Sequence, residues 1–340
     1  MSVLAISGEL PIGIAIGALL LYASMRVYRR LQLSRAKHGS LAGHSKMSRR
    51  VAKLLPFYGY SEERFFGVDG APVDVVEGRR EAFDALSRRL LQSSPISLGA
   101  SGELESTVSD VRFTNAYRVP FQFRKLVAEK LPASLFLQRT QGPYAIDLDG
   151  NDYLDLTASY GVNVFGHEFY KDCLERAFRR AEALGPVLGR YHPVVADNVR
   201  RLLAVSKQDE VSFHMSGTEA VMQAVRLARY HTGRSHLVRF CGAYHGWWDG
   251  VQPGVGNPRR VHDVYTLEEG SNATLEVLRT RKDIACVLVN PLQALHPNKS
   301  APSDASLVSS RAAAHYDKAK YADWLHRLRK VCTDSGIALI

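Results

Sequence analysis

The chain is poor in cysteine. Its four, Cys173, Cys241, Cys286 and Cys332, lie far apart, with no C-x-x-C among them. That argues against a disulfide scaffold and against a cysteine-based zinc site, and it fits a reducing compartment. His231 and His236 stand five apart across a helix end without an H-E-x-x-H pattern, so no metal-ligand constellation is present. A Gly-rich dinucleotide fingerprint and a P-loop lysine are also missing, as is any internal repeat. What remains is globular in character: 46% hydrophobic and 23% charged residues, with 26 Gly and 14 Pro in 340 residues. A collagenous, low-complexity or fully disordered chain is excluded. The length suits two domains, or one large α/β domain with an extension.

Acidic residues are scarce at one end only. Residues 1–60 hold nine Lys or Arg (Arg26, Arg29, Arg30, Arg35, Lys37, Lys46, Arg49, Arg50, Lys53) and one acid, Glu9. This segment supplies eight of the ten net positive charges. The remainder is nearly balanced, which argues against nucleic acid as a partner despite the basic total.

Leu10–Met25 is an uncharged, mostly apolar run of sixteen residues, a little short of the ~20 that span a bilayer. Val27 and Tyr28 extend it past Arg26, whose head group would snorkel. The basic cluster follows directly. Residues 1–28 are therefore expected to form a membrane anchor, with the membrane contacted through residues 10–28 and residues 26–340 on the cytoplasmic side. The alternatives are a cleaved signal peptide and a buried leader. Against the former, the positive charges follow the apolar run and no small-x-small site comes after it. Residues 29–110 read as a basic, partly helical extension and linker. Arg29–Lys53 suits either a basic helix on anionic lipid or a solvated linker. Glu77–Leu91 has helical spacing of Ala82, Phe83, Leu86 and Leu90. Ser93–Ser109, rich in Ser and Gly, reads as a linker.

From residue 111 onward strands alternate with helices. Tyr144–Leu156 alternates around Asp149-Gly150, a hairpin signal. Helices are expected over Tyr170–Ala183, Asp197–Val205, Glu219–Tyr230 and Ala319–Thr333, the last stopped by Gly336. Strands are expected over Glu210–His214, His236–Cys241, Ile284–Val289 and Ile337–Ile340. The wholly apolar character of Ile284–Val289 suits a buried parallel sheet. The pattern predicts an α/β fold with a largely parallel sheet. Residues 111–190 read as a small-domain segment and 191–340 as the first part of a large domain.

Three motifs carry chemistry. Ser216-Gly217-Thr218 sits between a strand and a helix, where free backbone N–H groups, a helix dipole and hydroxyls cradle a phosphate. Ser and Thr there are equally ordinary helix caps. Gly242-Ala243-Tyr244-His245-Gly246 lies beyond the carboxyl end of a strand, where ligands of open α/β sheets gather. Tyr244 there presents a ring face to a planar cofactor, or packs a loop. In Val289-Asn290-Pro291-Leu292-Gln293 a buried strand ends in two amides, facing a site or capping the strand. Trp247-Trp248 walls a pocket or packs at a contact. His296–Ser310 reads as a surface loop.

Taken together, SGTEAVMQAVRLARYHTGR, GAYHG and VLVNPLQ resemble the corresponding blocks of the class III aminotransferases, the fold-type-I enzymes that use pyridoxal 5'-phosphate. The branch around glutamate-1-semialdehyde 2,1-aminomutase is most similar. YAIDLDGNDYLDL, ASYGVNVFGHE and DSGIALI extend the likeness from about Phe113 to Ile340. The resemblance implies that Ser216, Gly217 and Thr218 bind the cofactor phosphate. It implies that Tyr244 stacks on the pyridine ring with His245 beside it, that Asn290 lies near the cofactor, and that Ser159 and Tyr160 lie near the substrate entrance. It further implies a homodimer acting on a small amino/carbonyl substrate pair.

The sequence departs from the family at two places. Asn290 stands where the family commonly has Glu, which removes a carboxylate. The family's aspartate for the pyridinium nitrogen and its Schiff-base lysine would fall beyond Ile340, and Lys282, Lys299, Lys318, Lys320 and Lys330 match no family lysine. No catalytic residue is therefore assigned. The expectation is the N-terminal part of an aminotransferase or aminomutase, inactive by itself; the alternative is a non-catalytic, membrane-tethered binding or dimerisation partner.

Overall fold

The computed structural model describes residues 9–39, 41–54, 61–116, 123–132, 135–252, 254, 257, 259, 261–291 and 317–340. Two compact units emerge. One comprises residues 1–57, 212–302 and 311–340; the other comprises residues 58–211 and 303–310.

The first unit opens with helices α1 (Glu9–Arg35) and α2 (Ser45–Leu54). Leu, Ala, Met and Arg dominate α1, and its Pro11 falls in the first turn, where a missing N–H costs nothing. The apolar run is thus helical, but the expected anchor is not supported. Among the described residues no helix is long and apolar enough to cross a membrane. The reason lies in the second half of α1. It carries Arg26, Arg29, Arg30 and Arg35, and its end is folded into the unit. Ala36 is fully buried, and its carbonyl accepts the Glu268 N–H at 2.8 Å.

The second unit contains α3 (Glu62–Phe66), α4 (Val73–Ser93), α5 (Pro95–Thr107), α6 (Ser109–Ala116) and α7 (Arg124–Lys130). A three-stranded antiparallel sheet follows: β1 (Arg139–Gln141), β2 (Tyr144–Ile146) and β3 (Asp152–Leu154). The expected hairpin is present, with Ala145 opposite Tyr153 and Gly150 at positive φ in its turn. The expected linker over Ser93–Ser109 is instead helical. Pro95 takes the first helical position, and the Asp149 carboxylate accepts the N–H groups of Ile96 and Ser97 at 2.9 and 2.8 Å. Ser97 and Ser101 are buried; their hydroxyls accept the N–H groups of Leu148 and Leu135. Small side chains there permit close packing rather than flexibility. The unit continues with α8 (Ala158–Gly161), α9 (His167–Ala181) and α10 (Val194–Ser206).

Residues 210–214 do not form the expected strand. No described strand pairs with them, and a strand exists only through a partner.

The first unit resumes with α11 (Gly217–Thr232), β4 (His236–Phe240), β5 (Val264–Leu267), α12 (Asn272–Thr280), β6 (Ile284–Leu288), α13 (Lys318–Ser335) and β7 (Ala338–Leu339). The strands form one parallel sheet in the order β5-β4-β6-β7. Its two faces alternate along β4. Val238 and Phe240 join Leu275, Leu278, Trp324 and Leu328 on one side, and Leu237 joins Val225 and Ala228 of α11 on the other. β6 is buried throughout, as a central parallel strand must be. Gly336 ends α13 in a left-handed conformation, φ 61°, and β7 follows at once. The expected loop at 296–310 lies outside the described residues.

Candidate functional site

The site is built where α11 begins and β4 ends. Ser216 is extended (φ −149°, ψ 159°), and its hydroxyl accepts the Glu219 N–H at 3.2 Å. Glu219 answers by accepting the Met215 N–H at 2.9 Å. This reciprocal box fixes the entry to the helix and aims the positive end of its dipole outward.

Beyond β4 the chain turns through Gly242 (φ 86°) and Gly246 (φ 93°), both in the left-handed region that favours glycine. Between them Ala243 is buried and Tyr244 is 63% exposed. A Cβ at Gly246 would stand 2.7 Å from Thr218 Oγ1 and 3.0 Å from Thr218 Cα. Only glycine lets this turn approach the start of α11 so closely. The structure therefore brings Ser216, Gly217 and Thr218 together with the Tyr244–Gly246 turn, at the carboxyl edge of the parallel sheet.

Two residues that the sequence did not single out hold this turn. Arg239 donates from Nη2 to the Ala243 carbonyl at 2.7 Å, and Gln252 donates from Nε2 to the Gly246 carbonyl at 3.4 Å. Arg239 is an unexpected charge in a strand of apolar residues, and that was its only signal. With Tyr244 and His245 these two line a cavity of about 210 Å³. Arg239 Nε and His245 Nε2 are buried there with no hydrogen-bond partner among the described residues. Burial, and then the nearby Arg239 guanidinium, push the His245 imidazole down to about 4. It is neutral at pH 7, with its buried Nε2 unpartnered among the described residues.

Asn290 follows β6, the strand beside β4, and is half-buried. Gln293 lies outside the described residues. Ser159 and Tyr160 belong to the other unit, on α8. Ala158 and Ser159 adopt φ 45° and 50°, a left-handed conformation that costs non-glycine residues about 1–2 kcal/mol each. The turn is held by Asp155, which accepts from the Thr157 hydroxyl and from the Thr157 and Ala158 N–H groups. Those bonds, the hydroxyl foremost, draw its carboxyl below the usual range. Among the described residues no cluster of His, Cys, Asp or Glu is arranged to hold a metal.

The family model for class-III aminotransferases matches residues 127–340. Over 118 residues the chain is 39% identical to a glutamate-1-semialdehyde 2,1-aminomutase of Symbiobacterium thermophilum, which covers 34% of this chain and 27% of that protein. A solved glutamate-1-semialdehyde aminomutase from Pseudomonas aeruginosa PAO1 superposes with a TM-score of 0.59 at 20% identity, covering 80% of this chain and 55% of that one. A β-phenylalanine aminotransferase from Variovorax paradoxus gives 0.55 at 24% identity, covering 76% and 54%. The chain thus spans about half the length of these solved structures, which share its fold.

Proposed function

The chain belongs to the class-III aminotransferases, and we propose that it binds pyridoxal 5'-phosphate and serves an amino-group transfer or 2,1-aminomutase reaction on a small amino/carbonyl substrate pair. The observation that carries this reading is the meeting of the α11 N-terminus with the Tyr244–Gly246 turn. The residues suit the group. The first N–H groups of α11, with Gly217 and the Thr218 hydroxyl, suit a phosphate dianion. The half-exposed Tyr244 ring offers a face to a planar heterocycle. The unpartnered His245 Nε2 offers a neutral polar contact beside it.

When bound, the cofactor supplies an electron sink for bonds at the carbon that bears the amino group. The chain's own contribution is to bind and orient. Arg239 and Gln252 hold the turn that carries Tyr244 and His245. The neutral imidazole adds no charge next to the ring, and Asn290 leaves the edge of the sheet without a carboxylate at that position. The likeness to an aminomutase over a third of the chain supports the aminomutase branch of the reading. Met215 and Trp247, at 93% and 74% exposure, flank the site and support assembly as a homodimer.

Titration of the purified chain with pyridoxal phosphate, followed by cofactor absorbance and by the unfolding midpoint, tests the reading. Saturable binding is expected. Thr218→Val should weaken it about tenfold, the value of one hydrogen bond to a charged group. An unchanged spectrum and an unchanged midpoint at millimolar cofactor would overturn the proposal.

A further inference from the structure

Among the described residues, α1 carries a long continuous run of exposed apolar side chains. Every residue from Gly13 to Leu31 is exposed. Ile14, Ile16, Leu19, Leu20, Leu21, Tyr22, Met25, Val27 and Tyr28 are between 48% and 67% accessible. Monomeric soluble proteins rarely leave so continuous an apolar patch uncovered. Yet α1 is not a loose tail. Gln32 accepts from the Thr280 hydroxyl, Arg281 donates to the Arg29 carbonyl, and Ala36 is buried in the core that contains Trp324 and Phe240. The helix is fixed at one end against α12 and the core and is bare over the rest.

What surrounds it is basic. From Leu10 to Ser61 the chain has no Asp or Glu. Lys46, Arg50 and Lys53 recur at i, i+4 and i+7 and are all exposed, so they form one face of α2. Met47 and Leu54 lie exposed beside that face, Leu54 at 80%. The chain doubles back tightly between the two helices: a Cβ at Gly43 would come within 2.6 Å of the His38 carbonyl. The cations are crowded as a result. Burial, then Lys46 and Arg30, lower the Lys37 ammonium from its usual range.

We propose that the bare stretch of α1, with the Lys46-Arg50-Lys53 face of α2, seats on an anionic lipid surface without crossing the bilayer. Apolar side chains flanked by uncompensated cations, with Tyr22 and Tyr28 among them, suit the headgroup region of such a surface. Charge complementarity selects it over a second copy of the chain. Two copies would bring the same cations together.

Co-sedimentation of the full chain with vesicles decides this, using phosphatidylcholine alone and phosphatidylcholine mixed with phosphatidylserine. The chain should sediment with the mixed vesicles, much less with the neutral ones, and less at high salt. The triple variant Lys46→Glu, Arg50→Glu, Lys53→Glu should lose roughly fivefold in affinity for each cation removed. Ile16→Glu with Leu20→Glu should abolish sedimentation. Both variants should keep the parent unfolding midpoint, because the altered side chains are exposed. Three outcomes would overturn the proposal. The chain stays in the supernatant with both vesicle types; the triple variant binds like the parent; or Ile16→Glu with Leu20→Glu turns a vesicle-free oligomer into monomers while vesicle binding is unchanged. None of these readouts involves pyridoxal phosphate, so the result stands apart from the cofactor reading.

Discussion

Thr218, in the first turn of α11, lies against Gly246 of the turn beyond β4, with no room for a side chain at the glycine. A methyl group there would press on Thr218 Oγ1 at 2.7 Å and on Thr218 Cα at 3.0 Å. The α carbon belongs to the first turn of α11 and cannot yield without moving the helix.

Gly246→Ala therefore meets both a clash and a left-handed backbone (φ 93°) that alanine resists. A loss of about 1–3 kcal/mol is expected, together with weaker pyridoxal phosphate binding. Urea unfolding and cofactor titration measure the two effects.

His245 makes stability depend on pH. Its folded-state value, about 4, lies below the ordinary 6.5. Above pH 6.5 the ring is neutral in both states and contributes no slope. As pH falls from 6.5 toward 4 the unfolded chain takes up a proton that the folded chain refuses, so stability declines across that window. His245→Gln should flatten this part of the midpoint-versus-pH curve. Arg239→Met should raise the His245 value, by removing the second cause of its depression. Proton NMR of the imidazole reads that shift directly.

Asp149 caps α5 from a distance. Asp149→Ala strips two acceptors from Ile96 and Ser97. The expected cost is about 1 kcal/mol, with faster amide exchange at those two positions and little change at the end of α5.

Ala36→Asp would bury a carboxylate in the core beneath α1. A loss of about 3 kcal/mol or more is expected, measured by thermal unfolding. Leu20→Glu on the bare part of the same helix should leave the midpoint unchanged. Equal midpoints for both variants would show that residues 29–36 are not part of the folded unit.

The elements legible in the sequence are those set by neighbours along the chain. The hairpin over β2 and β3 follows from alternation about Asp149-Gly150. α11 follows from its cap at Ser216 and its left-handed stop at Gly233, and α13 from its apolar face and Gly336. β5 was not legible. Its four residues pair on one side with β4, and so short a run has no period to read. In sequence α5 resembles a linker because its N-terminus is satisfied by an aspartate fifty-two residues away from Ser97. Residues 210–214 have the composition of a strand, but composition does not supply a partner.

The sequence alone determined the family, the parallel α/β alternation and the residue types of the proposed cofactor cradle, because motif order and local capping are written in consecutive residues. Only the tertiary structure decided that Thr218 lies against Gly246, that Arg239 and Gln252 hold the Tyr244 turn, and that the end of the apolar N-terminal helix is anchored on α12 and the core. Each of these joins residues distant in the chain or bends a strand end back on itself. Such contacts depend on how the elements pack, which no local periodicity records.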